Sequence, residues 1–335
     1  VAAEILSTHT PELFHKAVRR AAELLRAGEV VALPTETVYG LAANALDANA
    51  VAKIFQIKGR PAHNPIIVHV AGNEMARDCA KNFPPLAEKF SKNFWPGPLT
   101  LVLPRAEKIP EIVTAGGATV GLRWPSHPFM QAVIRECGFP LAAPSANLSN
   151  QISPTNAAHV RAQLGDKISL IVDGGQSQVG IESTVLDLTV SPPRILRPGM
   201  IHAESLAAVC DAIQNSKFKI QNSALRSPGL LAKHYSPKAK LLVLNWRDDA
   251  ELRLQIGKWK LKIENVFVIT HAKIPGGFNA ANVSVIPHDA EAYARALYGE
   301  LHRCDAAGAQ LIIVEALPDL PEWAGIADRL RRAAA

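Results

Sequence analysis

Short apolar runs recur along this chain, and between them lie longer stretches in which apolar residues return every three or four positions. The runs predict strands and the spaced stretches predict amphipathic helices. Thr10-Pro11 followed by LFHKAVRRAAELLRAG reads as a capped helix that stops at Gly28. VVAL at 30–33, IIVHV at 66–70, LTLVL at 99–103, ATVGLRW at 118–124 and LAA at 141–143 read as strands, as do LIVDG, STVLDL and RILR. Helices are expected from Asn49 to Lys58 and from Ser126 to Glu136, and another opening at Pro154 in SPTNAAHVRAQLG. These elements do not alternate strictly, which predicts a mixed, twisted α/β sheet.

Beyond Lys240 the rhythm is cleaner. LLVLNW, VFVITH, VSVIPH and LIIVEAL read as strands, with helices expected at 248–259, 289–307 and 322–334. Strands alternating with helices predict a smaller, parallel, Rossmann-like domain. In between, a short helical stretch gives way to a polar run and then to SPGLLAKHYSPKAK, rich in Pro, Gly, Ser and Lys. The expected partition is therefore a first domain over 1–205, an ordered linker over 206–240 and a second domain over 241–335.

Composition narrows the class. The chain has 335 residues, 48% of them hydrophobic and 20% charged, which fits globular domains rather than a disordered chain. No apolar run is long enough for a membrane span, and the opening stretch has no signal-peptide pattern. Cys79, Cys137, Cys210 and Cys304 form no paired motif, so neither a zinc site nor a disulfide framework is expected, and the setting is expected to be the reducing cytoplasm. The net charge of +6 is uneven: Lys+Arg against Asp+Glu is 19 to 17 over 1–205, 6 to 1 over 206–240 and 11 to 12 over 241–335. A basic connector suits either an anionic partner or a solvated tether, and charge alone does not choose.

The common nucleotide, zinc-protease and hydrolase signatures are absent. Instead, four segments place hydroxyl and basic side chains after apolar strands: Pro34 to Gly40; Lys58-Gly59-Arg60 with Asn64 and His69; Pro144 to Ser149 with Ser153 and Thr155; and Glu182-Ser183-Thr184 with Arg197-Pro198-Gly199. Strand ends are where α/β sheets take ligands, and these are the side chains that hold phosphate oxygens. Each segment alone also reads as a turn, a helix cap or a loop, and His69 alone as a core histidine. Arg123, on a short strand, is harder to explain without an anionic partner. No catalytic dyad stands out, which points to positioning and charge neutralisation.

Together, PTETVYGLAANA, KGRPAHNPIIVHV, FWPGPLTLVL, TVGLRWPSHP, APSANLSN and GIESTVLDL with ILRPG resemble the YrdC-type threonylcarbamoyl-AMP synthases. The added linker and second α/β domain resemble the long form of that family. The resemblance implies an enzyme, a nucleotidyltransferase, that makes threonylcarbamoyl-AMP and pyrophosphate from L-threonine, bicarbonate and ATP, with Mg²⁺ on the phosphates and no protein metal site. It implies that the product passes to a separate transferase that modifies a tRNA adenosine beside the anticodon. By that resemblance Thr37, His69, Arg123 and Ser183 or Thr184 contact threonine. Lys58, Arg60, Asn64, Thr119, Ser145, Asn147, Ser153 and Arg197 take the ATP side, with Lys58 and Arg60 as the phosphate clamp. Those two are expected at a surface cavity where removing their charge costs little stability. Tyr235 is implied to close over the nucleotide as part of a lid, its alternative being a packing residue between domains.

Two rival classes fit parts of the pattern. A basic α/β domain can bind double-stranded RNA or tRNA by shape without chemistry, but aromatics are only 6% and the basic residues cluster beside hydroxyl-rich strand ends. A carbamoyl transferase with a similar domain is expected to carry paired zinc cysteines, which are absent.

Overall fold

In the computed structural model, residues 2–210, 212–215 and 234–335 are described. The chain divides into two compact units, Val1–Ser149 with Ser153–Leu230, and Asn150–Ile152 with Leu231–Ala335. The turn at Pro228-Gly229, the leucine pair that follows it and Lys233 lie outside the described residues.

The first unit runs β1 (Glu4–Ser7), α1 (Pro11–Arg26), β2 (Val31–Leu33), β3 (Gly40–Asn44), α2 (Ala48–Lys58), β4 (Ile67–His69), α3 (Asn73–Cys79), α4 (Pro85–Phe94), β5 (Leu99–Pro104), β6 (Thr119–Arg123), α5 (Pro128–Cys137), β7 (Leu141–Ala142), α6 (Ala157–Leu164), β8 (Leu170–Asp173), β9 (Thr184–Asp187), β10 (Arg194–Arg197), α7 (Ala203–Ala207) and β11 (Gln214–Asn215). Among the described residues its strands form one eleven-stranded sheet in the order β1-β8-β2-β3-β7-β4-β6-β5-β9-β10-β11. Parallel and antiparallel pairs mix, as expected: β4 runs parallel to β6, while β5 runs antiparallel to it.

Strand alternation explains the layering. Val31 and Leu33 face a core with Ala17, Ala21 and Leu25 of α1 and Phe129, Val133 and Ile134 of α5. Ala32, Leu41 and Ala43 face the other core, with Val51 and Ile54 of α2 and Phe90 of α4. Successive side chains on a strand point to opposite faces, so a sheet apolar on both faces is covered on both.

Several predicted elements shift. The helix expected to open at Pro154 begins only at Ala157, because Asn156 is its cap: the Asn156 carboxamide accepts the His159 N–H at 2.9 Å. The helix expected from Ser126 starts at Pro128, where the His127 ring caps Phe129. Strand β3 lies inside a segment read above only as a motif, and β1, α3 and α4 were not anticipated.

The second unit runs β12 (Lys240–Leu244), α8 (Asp249–Gly257), β13 (Val266–Thr270), β14 (Val283–Val285), α9 (Ala290–Ala306), β15 (Leu311–Glu315) and α10 (Ala324–Ala333). Its four strands, ordered β12-β15-β13-β14, are all parallel, as the alternating pattern predicts. Their carboxyl ends are tied by Glu315, whose Oε2 accepts the Thr270 hydroxyl and the N–H groups of His271, Ala272 and Lys273, the last three at 2.9, 3.0 and 3.2 Å. His271 extends the tie, its Nδ1 lying 2.7 Å from Nδ1 of His288. His271 Nε2 faces the Ala316 carbonyl at 3.1 Å.

Candidate active site

Two loops of the first unit, after β2 and before β9, converge through backbone and hydroxyl contacts. The segment after β2 is held by Val179 N–H on the Glu36 carbonyl and Gly180 N–H on the Thr37 carbonyl, at 2.7 and 3.1 Å. The Ser177 hydroxyl donates to the Thr35 carbonyl at 2.9 Å. Tyr39 reaches further along the same wall, its hydroxyl donating to the Gly175 carbonyl and accepting the Gly174 N–H.

Across β4 and β6, His69 pairs with Arg123 in parallel register, so both side chains leave one face of the sheet. Arg123 is 4% exposed. Its Nη1 donates to the Thr37 hydroxyl at 2.9 Å, its Nε to the Gly97 carbonyl at 3.3 Å, and its Nη2 forms an ion pair with Glu36 at 2.7 Å. The same oxygen, Glu36 Oε1, also accepts the Ser126 N–H at 3.0 Å. Burial alone would raise the Glu36 pKa, but the Arg123 charge and the Ser126 N–H outweigh it and hold the carboxyl below its ordinary range. His69 goes the other way: burial, then the Arg123 charge, push it down to about 3, so it is neutral at physiological pH.

A second group forms where α2 ends. Gly59, at φ +60°, closes the helix with the left-handed turn that lacks a Cβ penalty, and turns the chain between Lys58 and Arg60. The Lys58 ammonium donates to the Ser145 carbonyl at 2.6 Å, to the Asn147 carbonyl, and more weakly to Asn147 Oδ1 at 3.4 Å. Ser149 N–H returns a bond to the Lys58 carbonyl at 2.8 Å. Arg60 spans its own loop, donating to the Asn64 and Pro65 carbonyls at 3.0 and 2.7 Å.

These two cations are buried and hydrogen-bonded, so the low stability cost expected above for a surface cavity does not hold for them. Lys58 is 2% and Arg60 8% exposed. Burial and then the neighbouring Arg60 charge drive the Lys58 pKa well down, yet three acceptors match the three donors of an ammonium. Removing Lys58 would strand those acceptors, so its loss costs stability as well as charge.

The third group lies between β5, β9 and β10. The Ser183 and Thr100 hydroxyls meet at 2.8 Å, and Arg197 binds Ser183 twice, from Nε to its carbonyl and from Nη2 to its hydroxyl, both at 3.1 Å. The Thr184 hydroxyl is turned to the Ile201 carbonyl at 2.9 Å. The Ser153 hydroxyl donates to Glu182 at 2.6 Å. Thr119 opens β6 opposite Pro104 and is half-buried.

Buried polar atoms without a protein partner are costly and call for a reason. Among the described residues of this unit, both ends of the Asn64 carboxamide, His69 Nδ1 and Glu36 Oε2 are such atoms. Tyr235 belongs to the second unit. There its ring is packed by Tyr298, with centroids 6.0 Å apart, and by the Arg329 guanidinium at 5.4 Å. Its backbone holds φ 61°, a region costly for a residue with a Cβ.

The sequence reading named neither Glu36 nor Glu182 as a functional residue, although both stand in quoted motifs. The signal was available in part: an arginine expected to need an anion implied a carboxylate partner within the fold. Among the described residues no cluster of three or more His, Cys, Asp or Glu side chains could cage a metal ion. Nor is any helix of the described residues long and apolar enough to cross a membrane.

Residues 23–199 match the Sua5/YciO/YrdC family model, described as telomere recombination, and residues 201–335 match the model described as threonylcarbamoyl-AMP synthase, C-terminal domain. The threonylcarbamoyl-AMP synthase of Pyrococcus abyssi is 41% identical over 321 residues, which is 94% of this chain and 93% of that protein. The Bacillus subtilis protein of the same name is 42% identical over 333 residues, covering 98% and 94%. A crystal structure of P. abyssi Sua5 complexed with L-threonine aligns over all of this chain and 98% of its own, with a TM-score of 0.90 and 39% identity.

Proposed function

The chain belongs to the threonylcarbamoyl-AMP synthase family in its two-domain form, and from that premise we propose that it joins L-threonine, bicarbonate and ATP into threonylcarbamoyl-AMP, releasing pyrophosphate. The observation that carries the reading is the end-to-end likeness to a Sua5 crystallised with L-threonine. It is an enzyme of this family, and the finer class is nucleotidyl transfer: the threonine amine takes up bicarbonate, and the carbamate oxygen attacks the α-phosphorus while pyrophosphate leaves.

The roles follow from the groups described. Arg123 has donors left on its terminal nitrogens after its protein contacts, which suits an amino-acid carboxylate. Neutral His69, with Nδ1 unpartnered, and the hydroxyls of Thr37 and of Ser183 or Thr184 suit the polar atoms of threonine; of the last two, Thr184 is already engaged with Ile201. Lys58, Arg60 and Arg197 supply positive potential for a triphosphate, while Asn64, Thr119, Ser145, Asn147 and Ser153 offer neutral contacts. Lys58 acts through the loop it holds and through its field, since its hydrogens are taken. A magnesium ion would arrive on the phosphates of ATP with its own waters, which requires no protein cage. Its chemistry there is charge neutralisation.

Tyr235 is assigned the role of excluding water from the labile carbamate. A cytoplasmic setting goes with this reading, since the product is consumed by a transferase acting on tRNA. The rival reading, an RNA-binding module without chemistry, has no support in the named relatives.

The test is mass spectrometry and pyrophosphate release with ATP, Mg²⁺, bicarbonate and a panel of amino acids. Release is expected only with both bicarbonate and threonine, modestly lower with serine and much lower with valine, which leaves a hydroxyl partner unpaired. Equal turnover with valine, or release with no amino acid, overturns the assignment.

A further inference from the structure

We infer that Glu36 is a positioning residue for the amino-acid subsite: it holds the Arg123 guanidinium in the pose that receives the substrate carboxylate. The inference rests on the reading of Arg123 given above and adds a residue to it.

An arginine free to choose rotamers is a poor receptor for a planar carboxylate, because fixing its side chain costs conformational entropy at the moment of binding. Here that cost is met on folding. Arg123 is held at three places, by the Gly97 carbonyl, the Thr37 hydroxyl and the Glu36 carboxylate. Only the last carries charge, so it contributes most to the pose. A buried guanidinium without a counter-ion is also costly, and its nearest alternatives here are neutral.

Glu36 is itself fixed from both sides of the chain. Its carboxylate accepts the Ser126 N–H, and its carbonyl accepts the Val179 N–H. Three loops, after β2, after β6 and before β9, thereby meet at one residue. Glu36 therefore links the arrangement of Arg123 to that of the 177–184 segment, whose Ser183 and Thr184 belong to the same proposed subsite.

The ionisable groups around it are consistent with this role. Arg123 is the paired cation, while His69 and His127 are both pushed toward the neutral form by burial. The Arg123–Glu36 pair is thus neutral overall before substrate arrives, with the Arg197 cation held separately on Ser183. Such a pocket admits a zwitterion, whose net charge is also zero, without a large change in buried charge.

Steady-state kinetics on Glu36→Gln, Glu36→Asp and Arg123→Ala in the full chain decide the matter. Glu36→Gln is expected to raise KM for L-threonine about tenfold or more, with kcat and the KM for ATP within about twofold of the parent enzyme, since uniform binding is what is lost. Glu36→Asp, which keeps the charge but withdraws it by one methylene, should recover part of the loss, and it serves as the reading where the Gln variant does not fold. A Glu36→Gln enzyme that is less heat-stable but has an unchanged threonine KM, while Arg123→Ala is impaired, makes Glu36 merely structural and overturns the inference. Should Arg123→Ala itself keep the parent KM, the assignment of Arg123 to threonine falls and the inference falls with it.

Discussion

Each unit buries a glutamate at a strand-end loop and holds its carboxyl below the ordinary range, yet the two glutamates do different work. Glu315, at the end of β15, is surrounded by neutral donors: the Thr270 hydroxyl and three successive backbone N–H groups. Its stabilisation by hydrogen bonds outweighs the burial that would raise it. Glu36, after β2, is opposed by a guanidinium that is still only partly used. The second sheet has the cleaner topology for binding at its carboxyl ends, being parallel throughout. Its Glu315 nevertheless spends its oxygen on closing a loop. The first sheet is irregular, but leaves Asn64, His69 and Glu36 with unpartnered atoms around one ion pair, where the second unit leaves the Tyr293 hydroxyl beside the His271 ring. Topology indicates where a ligand fits, whereas unspent polar chemistry indicates whether one is bound.

The sharpest way to break that contrast is at Lys58. If the first unit's polar groups serve ligand and fold together, Lys58→Ala should reduce both activity and stability. Two carbonyls and a carboxamide oxygen would lose their ammonium, at about 1–3 kcal/mol for a stranded buried group. Synthesis should fall by about a hundredfold or more, comparable to the loss of one preorganised donor. Pyrophosphate assays at a temperature well below the variant's own melting transition separate the two effects. Full stability with lost activity would return Lys58 to the exposed clamp expected from the sequence.

The converse variant is Glu315→Ala. Its donors sit on a loop whose Ala272 is exposed and whose His271 and Lys273 are half-buried, so water can replace part of what is removed. The expected cost is about 1–2 kcal/mol, less than at Lys58. Threonine-dependent turnover should stay within about twofold when measured below the transition. A large rise in the threonine KM would show that the second unit's strand ends are coupled to the chemistry after all.

Much of this contrast was legible in the amino-acid sequence, and the remainder failed for physical reasons. The parallel second sheet announced itself because each strand is an apolar run bounded by polar helices. Strand β3 was hidden because GLAAN carries neither β-branched residues nor alternation, and pairing with β2 and β7 decides its conformation. The burial of Lys58 was misjudged because its acceptors are carbonyls 87 and 89 residues away, and main-chain oxygens leave no trace in side-chain identity. Glu36 leaves as little trace: its ion pair with Arg123 joins a loop to a strand distant in sequence, so the motif PTET shows the residue without its partner. The grouping of Asn150–Ile152 with the second unit rests on the backbone pairing of Gln151 with Ser236, likewise invisible to a local pattern.

The smallest expected effect concerns how dry the first unit's site is, and His69 reports it. Its pKa falls from the ordinary value near 6.5 to about 3 in the folded protein. Between those values the unfolded chain binds a proton that the native state refuses, so stability rises with pH across the window and is lost as pH falls from 6.5 toward 3. Above 6.5 both states are neutral and His69 contributes no pH dependence. Going from pH 6.5 to 5.5, this one group should remove about 1 kcal/mol of stability, most of it on the unfolded side of the equilibrium. Carboxylates contribute their own slopes lower in the range, so the wild-type curve alone does not isolate the histidine. The comparison is with His69→Asn, which retains a polar side chain but does not titrate. Denaturant midpoints of both proteins at the two pH values give the difference directly: the parent should lose about 1 kcal/mol more than the variant over that unit of pH. If both lose the same, the imidazole takes up its proton in the native state and solvent reaches it. The subsite would then be wet before substrate arrives, and water exclusion would depend wholly on closure by another segment.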